Sequence, residues 1–245
     1  MKYIVKNYPE PATFTAWKQR KKLTKNDLLQ KTRLQIEQRK IWKKFTNSKE
    51  KNNLKKSLLN EQGFLCCYCQ QQIHLNENTQ IEHLVARGVD ALKMFDYDNL
   101  LAACDGGQSE REQHNRDNTI ERQPKYCGHA KANHTLTITP LDKDCETHFY
   151  YEIQDDTGSI DDVKVWIRSS TTEGNDAISK LNLNTPKLCN LRGQVIAGYI
   201  YDEQRNYISP QEAQQILTQI SHNNHKPFVP FCTALQSRLQ WLISQ

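Results

Sequence analysis

Long hydrophobic runs are missing from these 245 residues, and the mean hydropathy is −0.81. No segment approaches the roughly 18 apolar residues of a membrane span, so no membrane association is expected. The opening, MKYIVKNYPEP, has no apolar stretch before its prolines. It does not read as a secretory leader, and the expected location is cytoplasmic. Glycine and proline are scarce, at 9 and 8. Composition therefore excludes a collagen-like chain, and no internal repeat or low-complexity tract is evident. Apolar residues reach only 37%, yet a chain of this length buries enough of them to form a core without disulfide staples.

Acidic residues are scarce at one end. Residues 1–60 carry 17 Lys and Arg against 4 Asp and Glu, a net +13. Residues 61–245 carry 16 against 24, a net −8. Such asymmetry points to a basic arm that meets a polyanion or an acidic partner. The bland reading, a solvated helix surface, carries equal weight. Eight cysteines sit at 66, 67, 69, 104, 127, 145, 189 and 232. With no leader, disulfides are not expected. Five of the eight lie between 66 and 127, which reads as a metal site accompanied by core thiols.

The pattern predicts an α+β chain. Residues 1–23 read as extended, because Pro9 and Pro11 oppose an early helix. Thr24 is a candidate cap for a helix carrying Leu29, Leu34, Ile36, Ile41 and Phe45. A second helix carries Leu54, Leu58 and Leu59 and stops at Gly63. Residues 79–85 alternate like a strand, and Leu100–Cys104 form another ordered segment. The polar stretch between Cys104 and Cys127 reads as an exposed loop. Residues 135–168 read as short strands with turns at Thr157-Gly158 and Asp161-Asp162. Helices follow across 173–220, with one from Pro210 to His222 and one after Cys232. Three regions result: a basic helical arm at 1–60, a metal-containing core at 61–134 and an α+β region at 135–245.

Cys66-x-x-Cys69 offers two thiolates at the spacing of a tetrahedral metal knuckle. Cys67 could stand in for Cys66. Cys104 and Cys127 would complete a four-cysteine zinc site, although 22 residues separate them. In the same window lie Glu82-His83, Asn99 and His129. A histidine beside a carboxylate at a strand end is a candidate general base. A second histidine nearby is a candidate ligand for a catalytic ion.

The order of these parts is more specific than any one of them. Cys-x-x-Cys, Glu-His, Asp-Asn-Leu-Leu leading to Cys104, then Cys127-Gly-His129-Ala-Lys131 resembles the HNH endonucleases, whose core is a zinc-braced ββα-metal fold. The wider chain is most similar to the PtuB family, the HNH nuclease subunits of Septu and certain retron antiphage systems. MKYIVKNYPEPATFTAWK, the CCYC knuckle, TITPLDKDCETHFYY and DAISKLNLNTPKLCNLR carry that similarity over most of the chain. The resemblance implies a mainly helical chain around the HNH core, with short strands. It implies His83 as general base, Asn99 as the residue orienting the motif, and His129 with Glu82 as ligands of a catalytic Mg²⁺ or Mn²⁺. It implies Cys66, Cys69, Cys104 and Cys127 as ligands of a structural Zn²⁺. Two positions depart from the common pattern. Glu82 stands where Asp is usual, and Gly128 stands directly after the cysteine, where the last motif residue is usual.

The resemblance also implies partners: a PtuA-like ATPase, a nucleic-acid substrate (DNA before RNA), and in a retron setting the reverse transcriptase with its RNA–DNA. The rival reading is a zinc-containing nucleic-acid-binding or ATPase-docking subunit with a degenerate nuclease site. His114, in the exposed loop, reads as solvated; His134, His148, His222 and His225 lack supporting neighbours and read as structural. Cys145, Cys189 and Cys232 read as core residues. Arg111, Arg116, Arg122 and Lys125 share their loop with Glu110, Glu112, Asp117 and Glu121, so a solvated loop is the expectation there. Trp17, Trp42 and Phe45 read as core or interface.

Overall fold

The first helix begins where the prolines were expected to forbid one. In the computed structural model, which describes residues 1–7, 9–23, 35–117, 124–154, 163–221 and 227–245, α1 spans Ala12–Arg20. Pro11 sits one position ahead of it in extended geometry. Its carbonyl accepts from the Phe14 and Thr15 amides at 2.8 and 3.1 Å. A proline at a helix start gives up an N–H that would be unsatisfied anyway, so it starts the helix rather than blocking it. The proposed cap at Thr24, together with Leu29 and Leu34, lies outside the described residues. α2 (Gln35–Thr46) and α3 (Glu50–Glu61) follow. Gly63 has φ +58° and ends α3 as expected, with the Phe64 amide donating back to the Leu59 carbonyl at 2.9 Å. That αL closure turns the chain sharply into the cysteine knuckle.

The fold is α+β, about half helical, with two small antiparallel sheets. β1 (Gln80–His83) pairs with β2 (Leu100–Ala103), Glu82 opposite Leu101 and His83 opposite Leu100. The chain then forms α4 (Gln108–Asp117) and the single turn α5 (Gly128–Lys131). β3 (Tyr150–Gln154) pairs with β4 (Lys164–Arg168), and the turn residues expected between them lie outside the described residues. α6 (Thr172–Leu181), α7 (Pro186–Ile200), α8 (Pro210–Ser221) and α9 (Cys232–Ile243) complete the chain. Among the described residues no helix is long and apolar enough to cross a membrane.

Two apolar cores organise these elements. The larger runs from Met1, Ile4, Phe14 and Trp17 through Leu54, Leu58 and the cysteine knuckle to Ala177, Leu181 and Leu188. The smaller joins Val163 and Val165 of the second hairpin region to α7, α8 and α9. The cores therefore do not divide at residues 60 and 134: the basic arm and the knuckle share one interior. Gly193 lets α7 lie directly on the chain entering β4, since an added Cβ would run into the Val163 carbonyl.

Candidate metal centre and adjoining cavity

Cys66, Cys69, Cys104 and Cys127 are all buried, and their four sulfurs lie within 4.8 Å of one another. A zinc ion with bonds of about 2.3 Å spaces its sulfur ligands about 3.8 Å apart; the Cys66 and Cys127 sulfurs stand 3.9 Å apart. Donor type and spacing fit a metal such as zinc. Cys67 is excluded from the set, because the knuckle turns its backbone toward β2, where its amide meets the Ala102 carbonyl at 3.1 Å. The Cys104 amide points at the Cys66 sulfur at 3.4 Å, an arrangement that favours a thiolate. Burial works against ionisation of Cys66, but the neighbouring thiols hold it well below the usual range. Burial pushes Cys127 up.

Buried Gln62 fixes the knuckle to the sheet. Its amide nitrogen donates to the Leu65 and Ala102 carbonyls at 2.8 and 2.7 Å, and its oxygen accepts from the Ala102 amide at 2.7 Å. Cys127 arrives from the far side with φ +52°, a conformation a non-glycine residue rarely adopts. Such strain costs on the order of 1–3 kcal/mol. The Cys127 amide is anchored on the Leu181 carbonyl at 2.8 Å.

The same sheet presents the other motif residues. His83 closes β1 and is buried. Its Nε2 lies 3.1 Å from the Met94 carbonyl. A carbonyl only accepts, so Nε2 carries the proton and Nδ1 keeps the lone pair of the neutral ring. Trp42 of α2 meets the imidazole edge-on, with ring centroids 4.5 Å apart. Burial, then the charge of Arg87, pushes the His83 pKa down to about 3. Asn99 is also buried. Its oxygen accepts from the Val85 amide at 2.7 Å, and its nitrogen donates to the Val85 and Lys93 carbonyls, both at 3.0 Å. It thus staples the loop between the strands, and that loop supplies Met94 to His83.

Glu82 faces a cavity of about 320 Å³ lined by Gln38, Arg39, His83, Arg87, Lys131 and Asn133 among others. Its Oε1 receives the Tyr68 hydroxyl at 3.1 Å and the Lys131 ammonium at 3.0 Å. Lys131, almost fully buried, also donates to the His83 and Leu84 carbonyls at 2.9 and 3.2 Å. Burial raises the Glu82 pKa, with Lys131 opposing. Glu82 Oε2 fills the space that a Cβ on residue 128 would need. The two departures from the common pattern are therefore complementary: the longer carboxylate occupies the room that Gly128 vacates.

His129 is not brought to this cavity. Its Nδ1 faces the Arg111 guanidinium at 3.2 Å, and burial followed by Arg111 lowers its pKa. Glu82, His83 and His129 form no cluster of three ligating groups; among the described residues only the four cysteines do. The two expected ion ligands are thus engaged separately, Glu82 by Lys131 and Tyr68 and His129 by Arg111. The loop expected between Cys104 and Cys127 is corrected too: it contains α4, started by Asp105, which accepts from the Gly107 and Ser109 amides. Arg111, expected to be solvated, is buried and donates to the Gly106 carbonyl at 2.8 Å. Tyr68, Gln62 and Lys131 were missed as site residues. Lys131 stood in the motif string, but spacing alone does not show that a lysine points inward.

A pH prediction follows from His83. Its folded value lies below the ordinary value near 6.5, so the unfolded chain takes up the proton first. The His83 contribution is complete above pH 6.5 and drains away as pH falls toward 3, at about 1.4 kcal/mol per pH unit. Glu82, with its raised value, works in the opposite sense. The readout is thus the difference between wild type and His83→Gln in urea midpoints from pH 7 to 4. That difference should narrow steadily with acidification; a constant offset would refute a buried, neutral His83.

No family model matches the chain, and no curated protein matches it.

Proposed function

We propose that this chain is a zinc-braced, metal-dependent endonuclease of the HNH kind. The carrying observation is the His83–Met94 contact held by the Asn99 staple. It leaves a neutral imidazole nitrogen as proton acceptor at the end of a two-stranded sheet, beside a carboxylate and a cationic cavity. In this reading Nδ1 of His83 takes the proton from the water that attacks the phosphodiester. Arg87 keeps the surroundings positive, which favours the phosphate and keeps the imidazole unprotonated. Glu82 is the carboxylate available to a Mg²⁺ or Mn²⁺, whose other ligands would be phosphate oxygens and water. When bound, that ion supplies positive charge to the phosphate and to the leaving oxygen. The four-cysteine centre holds the sheet, the knuckle and α5 in register, a task a motif this short cannot do by apolar packing.

The resemblance to the PtuB family supports a place in antiphage defence of the Septu or retron type, in the cytoplasm. A PtuA-like ATPase would license the cut, DNA would be the preferred substrate over RNA, and a retron would add its reverse transcriptase and RNA–DNA. Two contacts favour the rival, an ATPase-docking or nucleic-acid-binding subunit without turnover: Lys131 pairs with Glu82, and Arg111 engages His129. Plasmid DNA and total tRNA, incubated with Mg²⁺ or Mn²⁺ and the assembled ATPase complex, separate the two. Wild type should cut, and His83→Ala should lose about 10²- to 10⁴-fold, the usual worth of a general base. Cleavage by His83→Ala at the wild-type rate refutes the catalytic assignment. No turnover by wild type in the assembled complex supports the rival.

A further inference from the structure

Helix α2 belongs to the basic N-terminal region, outside every motif residue, yet it forms a wall of the catalytic cavity. Gln38 and Arg39 line the cavity opposite His83, Arg87 and Lys131. Trp42, one turn further on, packs on the His83 ring, and the Arg87 guanidinium lies 4.9 Å over the same indole. Trp42 therefore contacts both His83, edge-on, and the Arg87 guanidinium, and fixes where Arg87 sits.

The charges in this cavity do not balance. Lys131 is spent on Glu82 at 3.0 Å. Among the described residues, neither Arg39 nor Arg87 has a carboxylate within ion-pair distance. Arg39 is exposed and Arg87 half-buried. Burial, then the like charge of Arg39, lowers the pKa of Arg87. Two guanidinium groups facing one cavity whose one acid, Glu82, is paired with Lys131 repel each other, and an anion placed between them removes that cost. Guanidinium suits phosphate because its planar fork gives paired donors.

We infer that Arg39 of α2 and Arg87 of the loop after β1 form a clamp for the phosphodiester backbone of a nucleic acid lying across the cavity. The clamp makes α2 part of the substrate site, so the basic region acts here as a substrate wall and not as a tether to a partner. The inference deepens the proposed nuclease reading, but it is tested by binding and not by cleavage.

The probes are fluorescent 20-nucleotide duplex DNA and single-stranded RNA, titrated with the full chain from 50 to 200 mM salt. The buffer holds no Mg²⁺, Mn²⁺ or chelator. Arg39→Ala and Arg87→Ala are compared with Lys44→Ala, which removes an exposed charge from the same helix outside the cavity lining. Each arginine variant should weaken binding about tenfold and flatten the plot of log K against log salt by about 0.9 for duplex or 0.7 for single strands. The change should be the same for unrelated sequences, because a phosphate contact reads no base. Lys44→Ala should lose less than twofold. The clamp fails if Lys44→Ala costs as much as Arg39→Ala, which would mean diffuse attraction only. It fails equally if wild type binds neither probe, which would leave an acidic protein surface as the occupant. Exposed Arg39 keeps the test sound should Arg87→Ala misfold, and Arg87→Lys, retaining charge without the planar stack, should fall between. The two readings fail separately: His83→Ala cutting normally refutes the nuclease alone, whereas Arg39→Ala binding normally refutes the clamp alone.

Discussion

Stripping metal from the four-cysteine centre is expected to unfold the larger core and not merely to stop chemistry. The knuckle, β2, and the chain before α5 meet at those sulfurs, and the same residues belong to the larger apolar core. A structural zinc site contributes an apparent 10–16 kcal/mol in small peptides, roughly the whole stability of a domain. Without the ion, four buried thiols face one another, and the strained Cys127 backbone is held by its amide on the Leu181 carbonyl and by its carbonyl, which accepts from the Ala130 and Lys131 amides. Metal analysis of the purified chain should give one zinc per molecule. A high-affinity chelator should then abolish the near-ultraviolet circular dichroism signal and lower the thermal midpoint by more than 10 °C. Serine at 66, 69, 104 or 127 should reproduce that loss. Serine at 67 should keep the metal, since Cys67 lies outside the cluster. A chain that retains its midpoint after the metal is removed would sink the structural role.

The second large effect is expected at Lys131. Its ammonium is almost fully buried between Glu82 and the carbonyls of His83 and Leu84. Replacing it with methionine keeps the volume but leaves a half-buried carboxylate with one remaining donor, Tyr68. Breaking one half of such a pair costs about 3–5 kcal/mol, whereas removing both halves is often near neutral. Lys131→Met should therefore lower the urea midpoint sharply, and Lys131→Met with Glu82→Gln should recover most of the loss. Additive losses in the double variant would show that the two side chains are not coupled. The pair also bears on pH. With Lys131 absent, Glu82 should titrate at a still higher pH, which carboxyl nuclear magnetic resonance would follow directly.

Much of this site was legible because its chemistry is written in residue type and order. Soft thiols two residues apart, a Glu-His at a strand end and an asparagine opening the next strand are local signals. The strands they predict are β1 and β2, found at Gln80–His83 and Leu100–Ala103. The C-terminal helices were also legible across 173–220, from Pro210 and after Cys232, although Pro186 starts α7 with Thr185 as its cap. Helix α4 was not. It is polar all around, so it carries no apolar period, and its stability comes from the Asp105 cap and from Arg111 reaching the Gly106 carbonyl. Helix α1 was missed for a different reason: proline was weighed as a breaker when its position made it a start.

The sequence by itself determined the donor chemistry: four cysteines able to form a soft tetrahedral set, one histidine beside one carboxylate, and a strongly basic first quarter. Only the tertiary structure decided which of these face one another. It chose Cys66 over Cys67, because neighbouring residues in a tight knuckle point to different sides. It set His129 against Arg111 and put Lys131 on Glu82, because one helical turn rotates successive side chains by about 100°. It carried Arg39 onto the cavity and Trp42 onto the His83 ring, both from some forty residues earlier in the chain. Linear spacing fixes which groups a chain possesses; the direction of each side chain follows from the packing of elements far apart in the chain.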